Sequence, residues 1–376
     1  MLNTLPALPA ARQPRAIVKL GGSAIPGWVS WEVTSNTYYE ADTFRVSFAV
    51  SSLPKERNVA WFFSQKSITV EILAGFPTNP ADPNAAELIA QNGSLIYGNV
   101  DEIDFDPVST LITVHGRDLT AAFIDAKMDF DFVNKTASEV AAYLAIQQFL
   151  TPVITATKTK VGTYYKNNTQ LLLRTQGTQW DCLTELAKDE GFSVYVKGNE
   201  LHFEPAPLVT SEPYVIKWHA PSNDSAAPVA NVQDLSFTRS MTVSRGVNVT
   251  VRSASLLSKT AVAESYPGRP PTPAMTGTVQ QYEFTLRAGL KPDQAQQIAL
   301  NRYNQIVSHE MKLRARLPGD NILTTKNVIR VQGTGTPLDQ TYQPMQITRS
   351  MSIDEGYVMV VEAQNYNPAT LAIHTT

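Results

Sequence analysis

The sequence holds one cysteine, Cys182, in 376 residues. A single thiol forms no internal disulfide and builds no cysteine-based zinc site. An oxidising compartment is therefore not what shaped the chain. Charge is also sparse: 17% of residues are Asp, Glu, Lys or Arg, against about 25% in an ordinary globular protein. Such a surface is either covered by neutral polar side chains or hidden against partners. Net charge is −3, and no Lys/Arg run exceeds two residues. Nucleic-acid binders draw affinity from basic patches that neutralise phosphates, so specific nucleic-acid binding is not expected. No stretch approaches about 18 consecutive apolar residues, the length a membrane-spanning helix needs. Met1 to Arg15 is short, apolar and proline-rich, with no basic residue ahead of its apolar part. A signal peptide needs that basic start, so a soluble protein made in a cytoplasm is expected.

Catalytic signatures are missing too. No P-loop, G-x-G-x-x-G, G-x-S-x-G or H-E-x-x-H occurs. His115, His202, His219, His309 and His374 are scattered. Asp101, Glu102, Asp104 and Asp106 form an acidic run, but they alternate with Ile103 and Phe105 and read as a polar strand edge. The run lacks the glycine and terminal glutamate of a calcium loop. Gly333-Thr334-Gly335 is a lone G-x-G in a hairpin loop. Cys182, between Trp180 and Leu183 with no basic neighbour, reads as a small packing residue. Lys312, Arg314 and Arg316 share one strand face; an ordinary solvated face is favoured over a partner surface or channel lining. No catalytic, cofactor-binding or metal-ligating residue is assigned, and no cofactor is expected.

What is present is a period of two. Phe44, Val46, Phe48 and Val50 alternate with polar or small residues, as do Ile68, Val70 and Ile72, then Val247, Val249 and Val251, then Leu313, Ala315 and Leu317. Each pattern makes one apolar and one polar sheet face. Half-wet strands of this kind belong to antiparallel sheets, sandwiches or barrels. Helices are expected from Thr136, where Glu139 completes a capping box; from Thr178 to Glu190, stopped by Gly191; and from near Pro292. Gly198-Asn199 predicts a type II′ hairpin between Phe192–Val196 and Leu201–Phe203.

At about 100–200 residues per domain, the length suggests two to three domains. A β domain is expected over 1–117 and a mixed helix/hairpin domain over 118–206. A second β domain is expected over 207–257 plus 312–376. It is interrupted by a 258–311 excursion with the proline-rich Tyr266–Pro273. Gly75–Asn84 and Pro205–Pro213 read as loops. Thr238-Arg239-Ser240-Met241 reappears as Thr348-Arg349-Ser350-Met351, which suggests a repeated strand–turn–strand unit.

The strand Leu111–His115 runs into Gly116-Arg117-Asp118-Leu119-Thr120. A capped helix follows, then the Thr178–Phe192 helix–glycine unit and a hairpin ending Leu201-His202-Phe203. This order resembles the baseplate hub proteins of contractile phage tails. They are the late-control D or Mu-like hub family, whose fold is shared by the hub part of type VI secretion spikes. The resemblance covers about residues 14 to 366. It implies a mainly β fold with α+β parts: two tail-tube-like antiparallel β-barrels joined by smaller mixed α/β domains. It also implies a homotrimeric ring around a central channel, facing a six-fold tail tube protein on one side and a three-fold central spike protein on the other. Other baseplate components are further implied partners. The location implied is the tail baseplate of a virion or contractile injection system, after assembly in the host cytoplasm. No spike or lysozyme domain follows the last β unit, so the spike is expected to be a separate protein. The proline-rich excursion has no place in the family pattern.

Two other readings compete. A cell-wall hydrolase would need paired carboxylates, and Asp104 with Asp106 is the tempting pair. A receptor- or glycan-binding β module would stack sugars on Trp28, Trp31 or Trp218, although buried tryptophans are the simpler account.

Overall fold

The computed structural model describes residues 13–37, 40–76, 93–127, 132, 135–158, 177–205, 212–223, 225–244, 246–255, 260–268, 279–286 and 290–365. The expected loops at Gly75–Asn84, Pro205–Pro213 and Tyr266–Pro273 lie mostly outside them, and so does His374.

The chain opens with β1 (Arg15–Leu20), β2 (Ser23–Ala24), β3 (Trp28–Asn36) and β4 (Thr43–Ala49). A short helix α1 (Val59–Ser64) precedes β5 (Thr69–Gly75), β6 (Ser94–Asp106) and β7 (Leu111–Asp118). The alternation in β4 buries Phe44, Val46 and Phe48, which meet Val70, Ile72, Ile112 and Val114 in a first core. The strand order of this unit is β2-β1-β5-β6-β7-β4-β3.

Next come α2 (Ala121–Asp125), α3 (Ala137–Gln147) and β8 (Thr151–Ile154), then α4 (Gln179–Glu190), β9 (Phe192–Lys197) and β10 (Glu200–Pro205). The expected capping box forms at Thr136/Glu139, and a second one, at Thr178/Asp181, starts the next helix. Gly191 ends α4 in the left-handed region at φ 70°. Gly198 takes φ 57° while Asn199 does not share the positive sign, as a type II′ turn requires. Leu144, Leu183, Val194, Leu201 and Phe203 close a second core.

The second half holds β11 (Tyr214–His219), β12 (Val229–Ala230), β13 (Asp234–Arg239) and the short helix α5 (Met241–Ser244). It continues with β14 (Val247–Ser255), β15 (Thr260–Tyr266), β16 (Gln280–Thr285) and α6 (Pro292–Val307). It ends with β17 (Met311–Pro318), β18 (Ile329–Gln332), β19 (Thr341–Ser352) and β20 (Gly356–Asn365). The strand Val247–Ser255, expected with the second β region, pairs instead with β15 and β16. Its Val247, Val249 and Val251 pack on Ala295, Ile298 and Ala299 of α6 in a separate core. Alternation announces a strand but not the sheet it joins. The remaining strands run in the order β12-β11-β18-β19-β20-β17-β13.

The two orders match position for position. β3, β4, β5, β6 and β7 correspond to β13, β17, β18, β19 and β20, with antiparallel neighbours throughout. Even the irregularity matches. β6 carries a bulge between Val100 and Glu102 against β7, and β19 carries one between Pro344 and Gln346 against β20. Aligned on these bulges, Phe44, Val46, Phe48, Ile112 and Val114 take the places of Leu313, Ala315, Leu317, Met359 and Val361, and all ten are buried. The units differ at β11, which runs parallel to β18 where β1 is antiparallel to β5. The repeated Thr-Arg-Ser-Met word is not part of this duplication. Met241–Ser244 is helical, and β13 corresponds to β3 while β19 corresponds to β6.

The units share one 14-stranded sheet because β3 pairs with β19 from Asn36↔Gln346 to Ser30↔Ser352. β19 bonds β20 along one edge and divides the other edge between β18 and β3. The architecture is mainly β with α+β parts, and among the described residues no sheet closes on itself.

Candidate functional surface

The strands β6-β7-β4-β3-β19-β20-β17-β13 are neighbours in this sheet. Their apolar alternates face the first core and the core of the second unit, which gathers Leu313, Ala315, Leu317, Met359 and Val361. The opposite face is a continuous polar ribbon. On β7, Thr113, His115 and Arg117 alternate with buried Ile112 and Val114. On β17, Lys312, Arg314 and Arg316 alternate with buried Met311, Leu313, Ala315 and Leu317, as the spacing predicted.

Ion pairs and hydroxyl contacts cross this ribbon. His115 lies 3.2 Å from Asp104. Arg314 lies 3.6 Å from Glu362, and Arg316 lies 3.3 Å from Glu355. The Ser47 and Thr113 hydroxyls are 3.0 Å apart. Gln346 Nε2 donates to Asn36 Oδ1 at 3.0 Å across the seam. A shallow depression of about 570 Å³ lies on the first unit, lined by Glu32, Thr34, Arg45, Glu102, His115 and Arg117 among others. A cleft of about 770 Å³ separates the α4/α6 region from the second unit's polar face, with Lys188, Gly191, His309, Lys312 and Glu362 among its lining residues. Burial, with Lys312 nearby, lowers the His309 pKa.

The Gly116–Thr120 segment is structural in every member. A Cβ on Gly116 would lie 2.0 Å from the Asn99 carbonyl oxygen and 2.5 Å from the Phe44 ring. Only glycine fits there, opposite the β6 bulge. Arg117 donates to both Asp101 carboxylate oxygens at 2.7 and 3.1 Å, and to Asp125 at 3.2 and 3.0 Å. It thereby ties the bulge to α2. Asp118 accepts the Thr120 amide at 3.1 Å and the Thr120 hydroxyl at 2.9 Å, which turns the chain into α2. Leu119 then packs on the second core.

Asp118 has an acidic neighbour in the half-buried Asp42. Its amide donates to the Asp42 carbonyl at 2.9 Å, and Asp42 Oδ1 accepts the Asn36 amide at 2.7 Å. Burial pushes Asp42 up to about 7. Burial, then the Asp42 charge, pushes Asp118 well above the usual carboxylate range. Arg349, itself 5% exposed, offsets part of this at Asp42. It spends its own donors on the main-chain carbonyls of Asp320, at 2.8 Å, and Leu323. The pairing of Asp42 with Asp118 escaped the sequence, because a lone aspartate carries no spacing signal.

The tempting Asp104 and Asp106 do not form a catalytic pair. Asp106 accepts the Ser109 hydroxyl at 2.5 Å and the Val108 amide at 2.8 Å in the β6–β7 turn. These bonds hold its carboxyl below the usual range, the opposite of a general acid. The amides of Gly333, Thr334 and Gly335 bond the carboxylate of Asp339 at 3.3, 3.0 and 3.0 Å, so an internal anion already fills that loop. Cys182 lies at the edge of the second core. His202 stacks on Tyr195 at 4.7 Å. His219 lies against Gly333. Trp31 is 2% exposed, Trp28 packs on the first core, and Trp218 is half-buried on β11. Among the described residues no three acidic, histidine or cysteine side chains gather as a metal site. No described helix is long and apolar enough to cross a membrane.

No protein-family model matches the sequence, and no curated protein matches it. Solved structures do. A tail protein from Neisseria meningitidis MC58 superposes with a TM-score of 0.65 at 14% identity, over 95% of this chain and 98% of that one. The 43 kDa tail protein of prophage MuSo2 from Shewanella oneidensis gives 0.64 at 14% identity, over 94% and 99%. A type VI secretion component from E. coli, itself similar to the T4 bacteriophage tail proteins gp27 and gp5, gives 0.51 at 11% identity, over 93% and 77%. The fold is that of these phage tail and secretion-spike proteins.

Proposed function

We propose that this chain is a structural hub subunit of a phage tail or phage-tail-like particle, and that it performs no chemical step. Three copies form a ring around a central channel. The ring presents six like β units to a six-fold tail tube protein and three-fold symmetry to a separate central spike protein. The observation that carries this reading is the duplicated β unit. One chain contains two β units of the same strand order and bulge position, and β3 to β7 run in the same relative directions as their counterparts, so three chains supply six similar faces. A closed ring with this arithmetic converts between the two symmetries without a change in subunit. The fold shared with tail proteins supports the same reading, while fold alone does not assign function. Other baseplate components are further partners, and assembly takes place in the host cytoplasm before incorporation into the tail.

The test is the mass of the purified chain by light scattering across a concentration range, followed by electron microscopy. A trimer with a central hole supports the hub. A monomer that stays monomeric when mixed with its tube and spike partners removes it.

A further inference from the structure

We infer that the cleft between α6 and the second unit's polar face is the docking site of residues 366–376 of the same chain. Those residues lie outside the described ones. The inference goes beyond the ring proposed above and stands without it.

The cleft is lined for hydrogen bonding. From α6 it receives Asn301, Asn304, Gln305 and Ser308. Offsets of three, four and seven residues put all four on one helix face, while Ala295, Ile298 and Ala299 carry the packing against β14. Two further lining residues hold groups that nothing satisfies. Ser193 is 2% exposed, and its Oγ has no partner among the described residues; the buried Oε1 of Gln364 has none either. Next to Gln364, the fully buried Asn365 leaves its Nδ2 unpaired. A buried polar group without a bond is costly and calls for a partner.

These orphans point to polypeptide. Gln364 Oε1 needs a donor and Asn365 Nδ2 needs an acceptor, one residue apart. A main chain carries an N–H and a C=O on each residue other than proline. Charge narrows the choice further. Arg314 already lies against Glu362, and Lys188 and Lys312 face Glu40, so a segment rich in one sign would bury charge without a counterion.

The chain itself delivers a segment of this kind. β20 ends at Asn365, and Gln364 sits between Lys312 of β17 and Gln343 of β19. Both neighbours line the cleft, so the chain leaves its last strand on the cleft floor. Residues 366–376 contain no Asp, Glu, Lys or Arg. Extended, they reach about 36 Å, whereas the α6 face from Ser308 to Asn301 is about 10 Å long. The segment therefore reaches Ser193 with slack. Half-buried Phe192 and Met345 in the same lining offer apolar surface to Leu371 and Ile373. A tether holds the segment at millimolar effective concentration, so a weak intrinsic affinity fills the cleft. Docked, it straps α6 and β9 to the second β unit.

The test uses the full chain with Thr370→Cys and Asn304→Cys in a Cys182→Ser background, under a mild oxidant at low protein concentration. The control moves the second cysteine to Thr341, which stands opposite residue 366 in the β19–β20 register but is not among the cleft residues. A loose segment reaches Thr341 at least as readily as Asn304. The expected result is an intrachain disulfide that closes at least tenfold faster at Asn304. A second measurement needs no cysteine. Chymotrypsin is expected to cut after Leu371 at least tenfold more slowly in the native chain than in the synthetic peptide 366–376. Asn304→Arg with Gln305→Arg is expected to remove that protection. Equal closure at the two positions overturns the inference, and so does cutting as fast as in the free peptide. A disulfide that forms between copies instead of within one overturns it too, and assigns the cleft to a second chain.

Discussion

Thr34 and Thr348 face each other across the β3–β19 seam with their hydroxyls 3.2 Å apart, although 314 residues separate them in sequence. Directly opposed residues on one sheet face are the unit of sheet stability, and like charges there repel. Thr34→Asp combined with Thr348→Asp is expected to destabilise the chain by about 1 kcal/mol more than the sum of the single changes. Thr34→Asp with Thr348→Lys is expected to recover most of that loss. Urea midpoints for the native chain and these four variants check the cycle.

Gly116→Ala is expected to cost about 3 kcal/mol or more, because its Cβ meets main chain that has no room to move. The equivalent position in the second unit is Ala363, which is buried and already holds a Cβ. Ala363→Gly is expected to cost less, about 1 kcal/mol. A thermal melt in which the two variants fall equally would contradict the close approach.

The Asp42–Asp118 carboxyl pair predicts a pH dependence. The folded pKa of Asp42 is raised, to about 7, so its contribution is fully present below the unfolded carboxylate range. That contribution is lost as pH rises through about 7. Asp42→Asn keeps an oxygen for the Asn36 amide and has no charge to bury. Relative to the native chain, the variant is expected to gain stability between about pH 4 and 7, on the order of 4 kcal/mol, and to level off above. Denaturant titrations at a series of pH values measure it. A gap that does not change with pH excludes the raised carboxyl.

Arg349→Met removes a buried cation that satisfies two main-chain carbonyls and lowers the Asp42 pKa. A loss of about 3 kcal/mol is expected. The Asp42 carboxyl is also expected to titrate higher than in the native chain, which NMR of the side-chain carboxyl carbon detects.

Much of the local structure was legible because it is written locally. Thr136/Glu139 and Thr178/Asp181 start helices through contacts within one turn, and Gly191 stops one through its own φ. Strands at Phe44–Phe48 and Leu313–Leu317 follow from alternation. Sheet membership did not follow. Val247–Val251 alternates as cleanly as Phe44–Phe48, yet it joins a different sheet, since the choice depends on α6 and on partners far along the chain. The duplicated unit was hidden for a related reason. Its conserved features are burial and bulge position, which Phe44/Leu313 and Val46/Ala315 satisfy with different side chains. The repeated Thr-Arg-Ser-Met word, the one visible echo, joins segments that are not equivalent. On the surface, the basic stripe was readable as one strand face.

The seam also sets an order of events during synthesis. β3 ends at Asn36, and β19 begins only at Thr341. The first β unit therefore emerges from the ribosome with one edge bare until β19 has been made. That open flank is a site for mispairing with other nascent chains. Closure of so long a loop makes the seam a late, slow step in maturation.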